Sequence, residues 1–150
     1  MSTAKERFPY MFAGENIGLS MAHGWEPLFE KLCVDIDALL GDDKRQFHWT
    51  QLKEKFGCAR FHWSMDNART SSDLISPERL EVAKQCATTL REKIALLVGE
   101  AQAQAQHMCI VCGQPGKVDP ADNYMLVLCD EHIRQRAANK LPTFWPEDFK

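Results

Sequence analysis

The segment CIVCGQPGKVDPADNYMLVLCDEH, residues 109–132, decides how the last third of this 150-residue chain folds. It begins with Cys109 and Cys112 and ends with Cys129 and His132, so each pair of potential metal ligands encloses two residues. Thiolate and imidazole groups are preferred ligands of zinc, which takes four of them in a tetrahedron. The segment therefore predicts one zinc ion bound by these four side chains.

The residues around the ligands predict a compact fold. Gly113 follows the first pair, where a residue without a Cβ lets the backbone curl toward the sulfurs. The second pair stands at the start of residues 130–141, a helical pattern with acidic residues in its first turn. Between the pairs, residues 116–128 indicate a turn-rich loop and a short strand. A knuckle, a hairpin and a ligand pair on the first turn of a helix resemble a treble-clef zinc finger.

Four protein ligands close the tetrahedron and leave no position for the water molecule of a catalytic zinc site. Asp130 and Glu131 lie inside the second pair, where stabilisation of the helix start explains them without catalysis. Nucleases of the HNH type carry a catalytic histidine within the hairpin, whereas residues 113–128 contain no histidine. His107 stays an alternative ligand. We therefore expect a structural zinc ion and no enzymatic activity.

The preceding part of the chain combines helical and strand patterns. Residues 24–43 place Pro27 in a first turn, repeat apolar residues at helical spacing and offer Gly41 as an end signal. Aromatic and polar residues alternate at 47–49 and 61–63, on either side of the sequence KFG, which predicts two antiparallel strands. The expected fold class is α+β, with a small antiparallel hairpin or sheet packed by helices and a treble-clef-like zinc finger at the C-terminal end.

The longest helical pattern covers residues 76–107 and would extend on the order of 45 Å if it were one continuous helix. Either its Ala/Gln end frays, or the helix forms a stalk that pairs with a second copy, which predicts a homodimer through residues 77–106. The expected division is an α+β body at 1–106, ending in this long helix, and a zinc module with a tail at 107–150.

Composition restricts the function classes. The chain is 45% hydrophobic and 26% charged, and its net charge of −3 provides no general attraction to nucleic acid or to an anionic membrane. It contains no apolar run that could span a membrane, and its N-terminus lacks the pattern of a secretion signal. We expect a cytoplasmic protein, and in a reducing compartment paired cysteines bind metal more often than they form disulfides.

Two further surfaces are candidates for contacts with a partner. Residues 44–63 hold five basic residues and one acidic residue among interleaved aromatics, a composition that suits nucleic acid but also an ordinary sheet with a solvated face. The candidate nucleic-acid contacts are Lys53, Lys55, Arg60, Arg134 and Arg136. The tail predicts either a protein contact or simple packing over the core, through Phe144, Trp145 and Phe149.

Several motifs, taken in order, resemble a group of short, uncharacterised bacterial and phage-borne proteins. In that group a Gly-Trp-led helix precedes a Lys-Glu-Lys-Phe-Gly turn, and a Cys-x-x-Cys-Gly…Leu-Cys-x-x-His module follows. Cys58-Ala59 departs from the pattern, which has a small residue and then a larger aliphatic one after the turn glycine. The matching positions are Gly24, Trp25, residues 53–57, Arg60, Phe61, Cys109, Cys112, Gly113, Pro115, Gly116, Cys129 and His132.

The resemblance brings no assigned activity with it. The association of the group with phages and mobile elements implies a role in conflict between phage and host. The leading hypothesis from the sequence is a non-enzymatic, zinc-stabilised protein that binds a host protein. The alternative is a DNA- or RNA-binding regulator that uses the basic segment at 44–63 with Arg134 and Arg136. A metal-dependent nuclease is a third and weaker hypothesis.

Overall fold

The computed structural model describes residues 2–70 and 75–146, and within them the fold is α+β. A three-stranded antiparallel sheet in the order β1-β2-β3 forms the body, and a separate hairpin, β4-β5, lies in the C-terminal part. The helices are α1 (Ser2–Arg7), α2 (Glu26–Leu40), α3 (Pro77–Cys86), α4 (Leu90–Ala105) and α5 (Asp130–Ala137); the strands are β1 (His48–Lys55), β2 (Cys58–Met65), β3 (Ala68–Thr70), β4 (Lys117–Asp119) and β5 (Leu126–Leu128).

Helix α2 forms where its pattern predicts. Pro27 lies in the first turn, and Gly41 ends the helix with φ of 67°, a left-handed value that glycine adopts without strain. The buried face presents Phe29 to the sheet, where its ring centroid lies 5.0 Å from that of Trp49 and 5.4 Å from that of Phe61. This aromatic cluster forms the centre of the core.

Strands β1 and β2 form the expected hairpin, with Leu52 opposite Phe61 and Lys53 opposite Arg60. Aromatic and aliphatic side chains face the helices, and the alternate positions face away from them. The outer edge of β1 is covered by residues 17–20, which exchange backbone hydrogen bonds with residues 50–52. Strand β3 and helix α1 were not expected, because three residues and six residues are too few to show a clear period.

The prediction of one long helix over 76–107 is wrong, because two helices, α3 and α4, occupy this stretch. Ala87 has an extended backbone, and the Thr89 side chain accepts a hydrogen bond from the Glu92 N–H while the Glu92 carboxylate accepts from the Thr89 N–H. This capping box starts a new helix. The Ala/Gln end stays helical because Ala101, Gln102 and Ala105 are buried.

Apolar residues from both sides of the expected boundary at 106/107 share one core. Cys109, Ile110 and Leu128 belong to the same buried cluster as Trp25 and Phe29. The division at 106/107 into a body and a module therefore stays a prediction. In the structure, the two parts pack together in a single hydrophobic core.

Within residues 2–70 and 75–146, no helix combines the length and the apolar character that crossing a membrane requires.

Candidate metal centre

The first ligand pair lies on a tight knuckle between α4 and β4. The Cys109 N–H donates to the Gln114 carbonyl at 2.7 Å, and the Gly113 N–H donates to the Cys109 carbonyl at 2.8 Å. Gly113 has φ of 76°, which a residue with a Cβ adopts only with strain. The glycine therefore lets the chain reverse between Cys109 and Cys112, so that both sulfurs face the same point.

The second ligand pair is placed by the β4-β5 hairpin and α5. Cys129 directly follows β5 and is the N-cap of α5, while His132 lies in the first turn of that helix. The Ile110 N–H donates to the Val127 carbonyl at 2.9 Å, which ties β5 to the knuckle. The two ligand pairs are thereby brought together across one short backbone contact.

The four ligand atoms, three sulfurs and one imidazole nitrogen, all lie within 4.8 Å of one another. Cys109 Sγ lies 3.4 Å from His132 Nδ1, Cys129 Sγ lies 3.1 Å from the same nitrogen, and the Sγ atoms of Cys112 and Cys129 are 3.9 Å apart. Cys109 is buried, Cys129 and His132 are half-buried, and Cys112 is exposed. This group can hold a metal ion, and His107, an exposed residue, is not part of it.

The thiols have unequal proton affinities. Partial burial, together with smaller effects of the neighbouring Cys109 and Cys129 thiols, raises the pKa of the Cys112 thiol to about 11. Burial also raises the pKa of Cys129, but hydrogen bonds from the His132 backbone and ring outweigh it and lower the value to about 7. A metal ion that binds here would displace the remaining thiol protons.

Arg136, a predicted nucleic-acid contact, is instead turned into the module. Its side chain is 8% exposed, and its guanidinium lies 3.2 Å from the Asp119 carboxylate. The same group donates to the carbonyls of Ala121 and Tyr124 at 2.5 and 2.6 Å. Arg136 thus fastens the loop between β4 and β5 to α5. Arg134 is exposed and paired with Glu131 on the helix surface.

The start of α2 lies directly against the knuckle. The Gly24 N–H donates to the Ile110 carbonyl at 2.9 Å, and the Trp25 indole N–H donates to the Met108 carbonyl at 3.4 Å. Trp25 itself is 1% exposed. The Gly-Trp pair therefore has a structural explanation, because it joins the helical body to the first pair of ligands.

The tip of the β1-β2 hairpin makes a second contact with the module that sequence reasoning missed. The Glu54 carboxylate accepts hydrogen bonds from the Gly57 N–H, at 2.6 Å, and from the Tyr124 hydroxyl. A Cβ added to Gly57 would lie 3.5 Å from the Met125 carbonyl, so the turn lies close to the chain before β5. The sequence indicated this region only through the KEKFG turn motif at residues 53–57.

The remaining candidates fall on two surfaces. Lys53, Lys55 and Arg60 share the face of the β1-β2 hairpin that turns away from the core. Phe144 and Trp145 are half-buried, pack against the core and lie with ring centroids 5.3 Å apart. The Phe144 carbonyl also accepts a hydrogen bond from His23, at 2.9 Å.

Phe149, the third aromatic candidate of the tail, lies outside the described residues.

Comparison with family models, with curated proteins and with solved structures gives no match for this chain.

Proposed function

We propose that the metal at this centre is zinc. A tetrahedral zinc ion, with bonds of about 2.3 Å to sulfur and about 2.0–2.1 Å to nitrogen, separates two sulfurs by about 3.8 Å and a sulfur from a nitrogen by about 3.6 Å. The distances of 3.9 Å between Cys112 and Cys129 and 3.4 Å between Cys109 and His132 are close to these values, while the 3.1 Å between Cys129 and His132 is shorter. Three thiolates and an imidazole are also a donor set that zinc prefers over hard cations.

The role of this zinc is structural. The four protein ligands fill a tetrahedron, which leaves no coordination position for a reacting water. The knuckle, the β4-β5 hairpin and the ligand pair at the start of α5 support the treble-clef interpretation. The acidic residues inside the second pair serve other contacts, since Asp130 pairs with Lys117 at 2.9 Å and Glu131 pairs with Arg134.

The function that follows is that of a non-enzymatic protein that acts by binding another protein. The observation that carries it is the closed four-ligand centre, locked onto the start of α2 through Gly24 and Trp25. Such a centre builds a rigid surface. The exposed apolar side chains of the module, Val118, Tyr124 and Met125, support a protein partner. The resemblance to phage-borne proteins makes a protein of the host the expected partner.

The first test combines metal analysis with affinity capture. The purified chain should contain one zinc per molecule by elemental mass spectrometry, and Cys112→Ser should lose it. A tagged chain, incubated with nuclease-treated host lysate, should recover one protein in near-stoichiometric amount, and Cys112→Ser should not. Cys86→Ser is the matched control, because Cys86 is exposed and lies outside the metal group.

Two results would contradict the proposal. Full zinc content in Cys112→Ser would show that Cys112 is not a zinc ligand and would contradict the assigned ligand set. If the zinc-loaded chain recovers no enriched protein, the proposed protein-binding function is contradicted, independently of the result for zinc.

The alternative, a nucleic-acid-binding regulator, is supported by the grouping of Lys53, Lys55 and Arg60 on one face of the hairpin. Arg136 does not contribute to that surface, because its guanidinium is occupied within the module. A nuclease has the least support, since the hairpin of the metal centre carries no histidine.

A further inference from the structure

The outer face of the β1-β2 hairpin concentrates positive charge. Lys53 lies directly opposite Arg60, and Lys55 lies opposite Cys58, which places Lys55 diagonal to Arg60 on the same face. Like charges directly opposite one another in an antiparallel pair are destabilising. Three neighbouring cations on one face therefore reduce the stability of the hairpin unless an anion lies among them.

In the part of the chain that the structure describes, no carboxylate pairs with any of these three cations. The nearest carboxylate in sequence, Glu54, belongs to the other face and is held by the Gly57 N–H and the Tyr124 hydroxyl. Lys53, Lys55 and Arg60 form no ion pair with any carboxylate among residues 2–70 and 75–146. Many other cations of the chain are paired, namely Arg7, Lys31, Lys44, Arg45, Lys84, Lys117, Arg134 and Arg136.

An exposed aromatic ring stands at the tip of the same hairpin. Phe56 is 64% exposed, and Lys55 Nζ lies 5.5 Å from the centre of its ring. Phe56 has φ of 55° and Gly57 has φ of 77°, so the turn holds a bulky residue in the left-handed region where asparagine or glycine is favoured. Neither burial nor turn geometry explains a phenylalanine at this position.

The tip is also held in place. Glu54 joins Gly57 to Tyr124 of the module, and Tyr124 and Met125 are 47% and 40% exposed beside the turn. Phe56 thus presents an exposed aromatic ring next to Lys55, on a turn that is fixed by both the body and the module. A fixed surface loses little conformational entropy when a ligand binds.

We propose that this surface, formed by Lys53, Lys55, Phe56 and Arg60, binds single-stranded nucleic acid. Lys53, Lys55 and Arg60 contact the phosphates, and Phe56 stacks on an exposed base. A single strand offers both groups at once, whereas a duplex keeps its bases stacked inside the helix. This inference does not rest on the proposed protein-binding function, and the two can fail separately.

The test measures fluorescence anisotropy of a labelled, mixed-sequence single strand of about 12 nucleotides, a length that such surfaces cover, with the zinc-loaded full-length chain. Binding should weaken as salt rises from about 50 to 200 mM, with a slope of log K against log salt of about −2 for three phosphate contacts. A duplex of the same sequence should bind more weakly than the single strand.

Two variants separate the contribution of the phosphate contacts from that of base stacking. Lys53→Gln should reduce the magnitude of the salt slope by about 0.7. Phe56→Asn should weaken binding about tenfold through the loss of stacking, while asparagine suits the left-handed backbone and keeps the turn. Lys93→Gln is the charge-matched control, because Lys93 is exposed on α4 and is not part of the proposed surface, and this variant should bind like the unmodified chain.

Unchanged zinc content in each variant shows that the metal centre is intact. Absence of binding at low salt, or equal weakening by Lys93→Gln and Lys53→Gln, would overturn the proposal. Binding of polyglutamate as tight as that of the oligonucleotide, with no effect of Phe56→Asn on either, would overturn it in favour of an acidic protein as the ligand.

Discussion

Gly24 lies where the backbone before α2 meets the backbone of the metal-binding knuckle. A Cβ at this position would lie 2.1 Å from the Cys109 carbonyl oxygen and 2.7 Å from the Ile110 carbonyl carbon. Both neighbours are backbone atoms, so neither can rotate away as a flexible side chain could. Glycine is therefore required for the body and the knuckle to approach this closely.

We predict that Gly24→Ala lowers the free energy of unfolding by about 1–3 kcal/mol, the usual effect of overpacking a dense interior. The measurement is urea unfolding of the zinc-loaded protein, followed by circular dichroism. Gly99→Ala is the matched control: its Cβ would meet only the ends of the Leu80 and Ile75 side chains, and alanine is the better helix former within α4.

Equal destabilisation by the two glycine substitutions would contradict this interpretation of Gly24.

The break between α3 and α4 shows how a short polar sequence overrides a helical pattern. Hydrogen bonds from the Thr89 and Thr88 backbone N–H groups lower the pKa of the Glu92 carboxyl to about 2, so this group is ionised at neutral pH. The Thr88 hydroxyl donates to the same carboxylate at 3.2 Å. The carboxylate thus satisfies donors before α4 that a continuous helix would bond to carbonyls.

We predict that Thr89→Ala destabilises the protein by about 1 kcal/mol, because it removes the side-chain acceptor at the start of α4. Thr89→Ser keeps the hydroxyl and should stay within a few tenths of a kcal/mol of the unmodified chain. Chemical denaturation at neutral pH measures both differences. A loss of stability as large in Thr89→Ser as in Thr89→Ala would show that packing of the methyl group, rather than capping, is the cause.

At the scale of the whole molecule, the metal centre and the body share one core, with Ile110 and Leu128 of the module packed in the same cluster as Trp25 and Phe29. The structural zinc ion that we propose would contribute on the order of 10 kcal/mol of apparent folding free energy, as such ions do in small modules. Loss of the ion should therefore disturb the body where it contacts the knuckle, as well as the module.

We predict that chelation of the metal accelerates amide hydrogen exchange at Gly24 and His23, whose N–H groups donate to Ile110 and Phe144. Exchange measured by NMR before and after addition of a chelator gives the comparison. The Leu52 N–H, which donates to the Gly18 carbonyl at the outer edge of β1, is the internal reference, since Gly18 belongs to neither the knuckle nor the module. Unchanged protection at Gly24 after metal loss would show that the body and the module are independent.

The candidate metal centre was predictable from the sequence because its ligands are close along the chain. Each ligand pair encloses two residues, and a glycine and a helix start set the local direction of both pairs. The helix at 26–40 and the β1-β2 hairpin were predictable for a similar reason, since local periodicity reports burial on one face. The α+β class follows from these elements.

Contacts between distant segments were decided only by the tertiary structure. The docking of Gly24 on the knuckle, the inward turn of Arg136 and the contact of Glu54 with Tyr124 join residues that no local pattern relates. By itself, the sequence determined the candidate ligand set, helix α2 and the β1-β2 hairpin, because short-range spacing controls them. The tertiary structure determined which cations are neutralised and which stay free, because ion pairs depend on distances that only the folded chain defines.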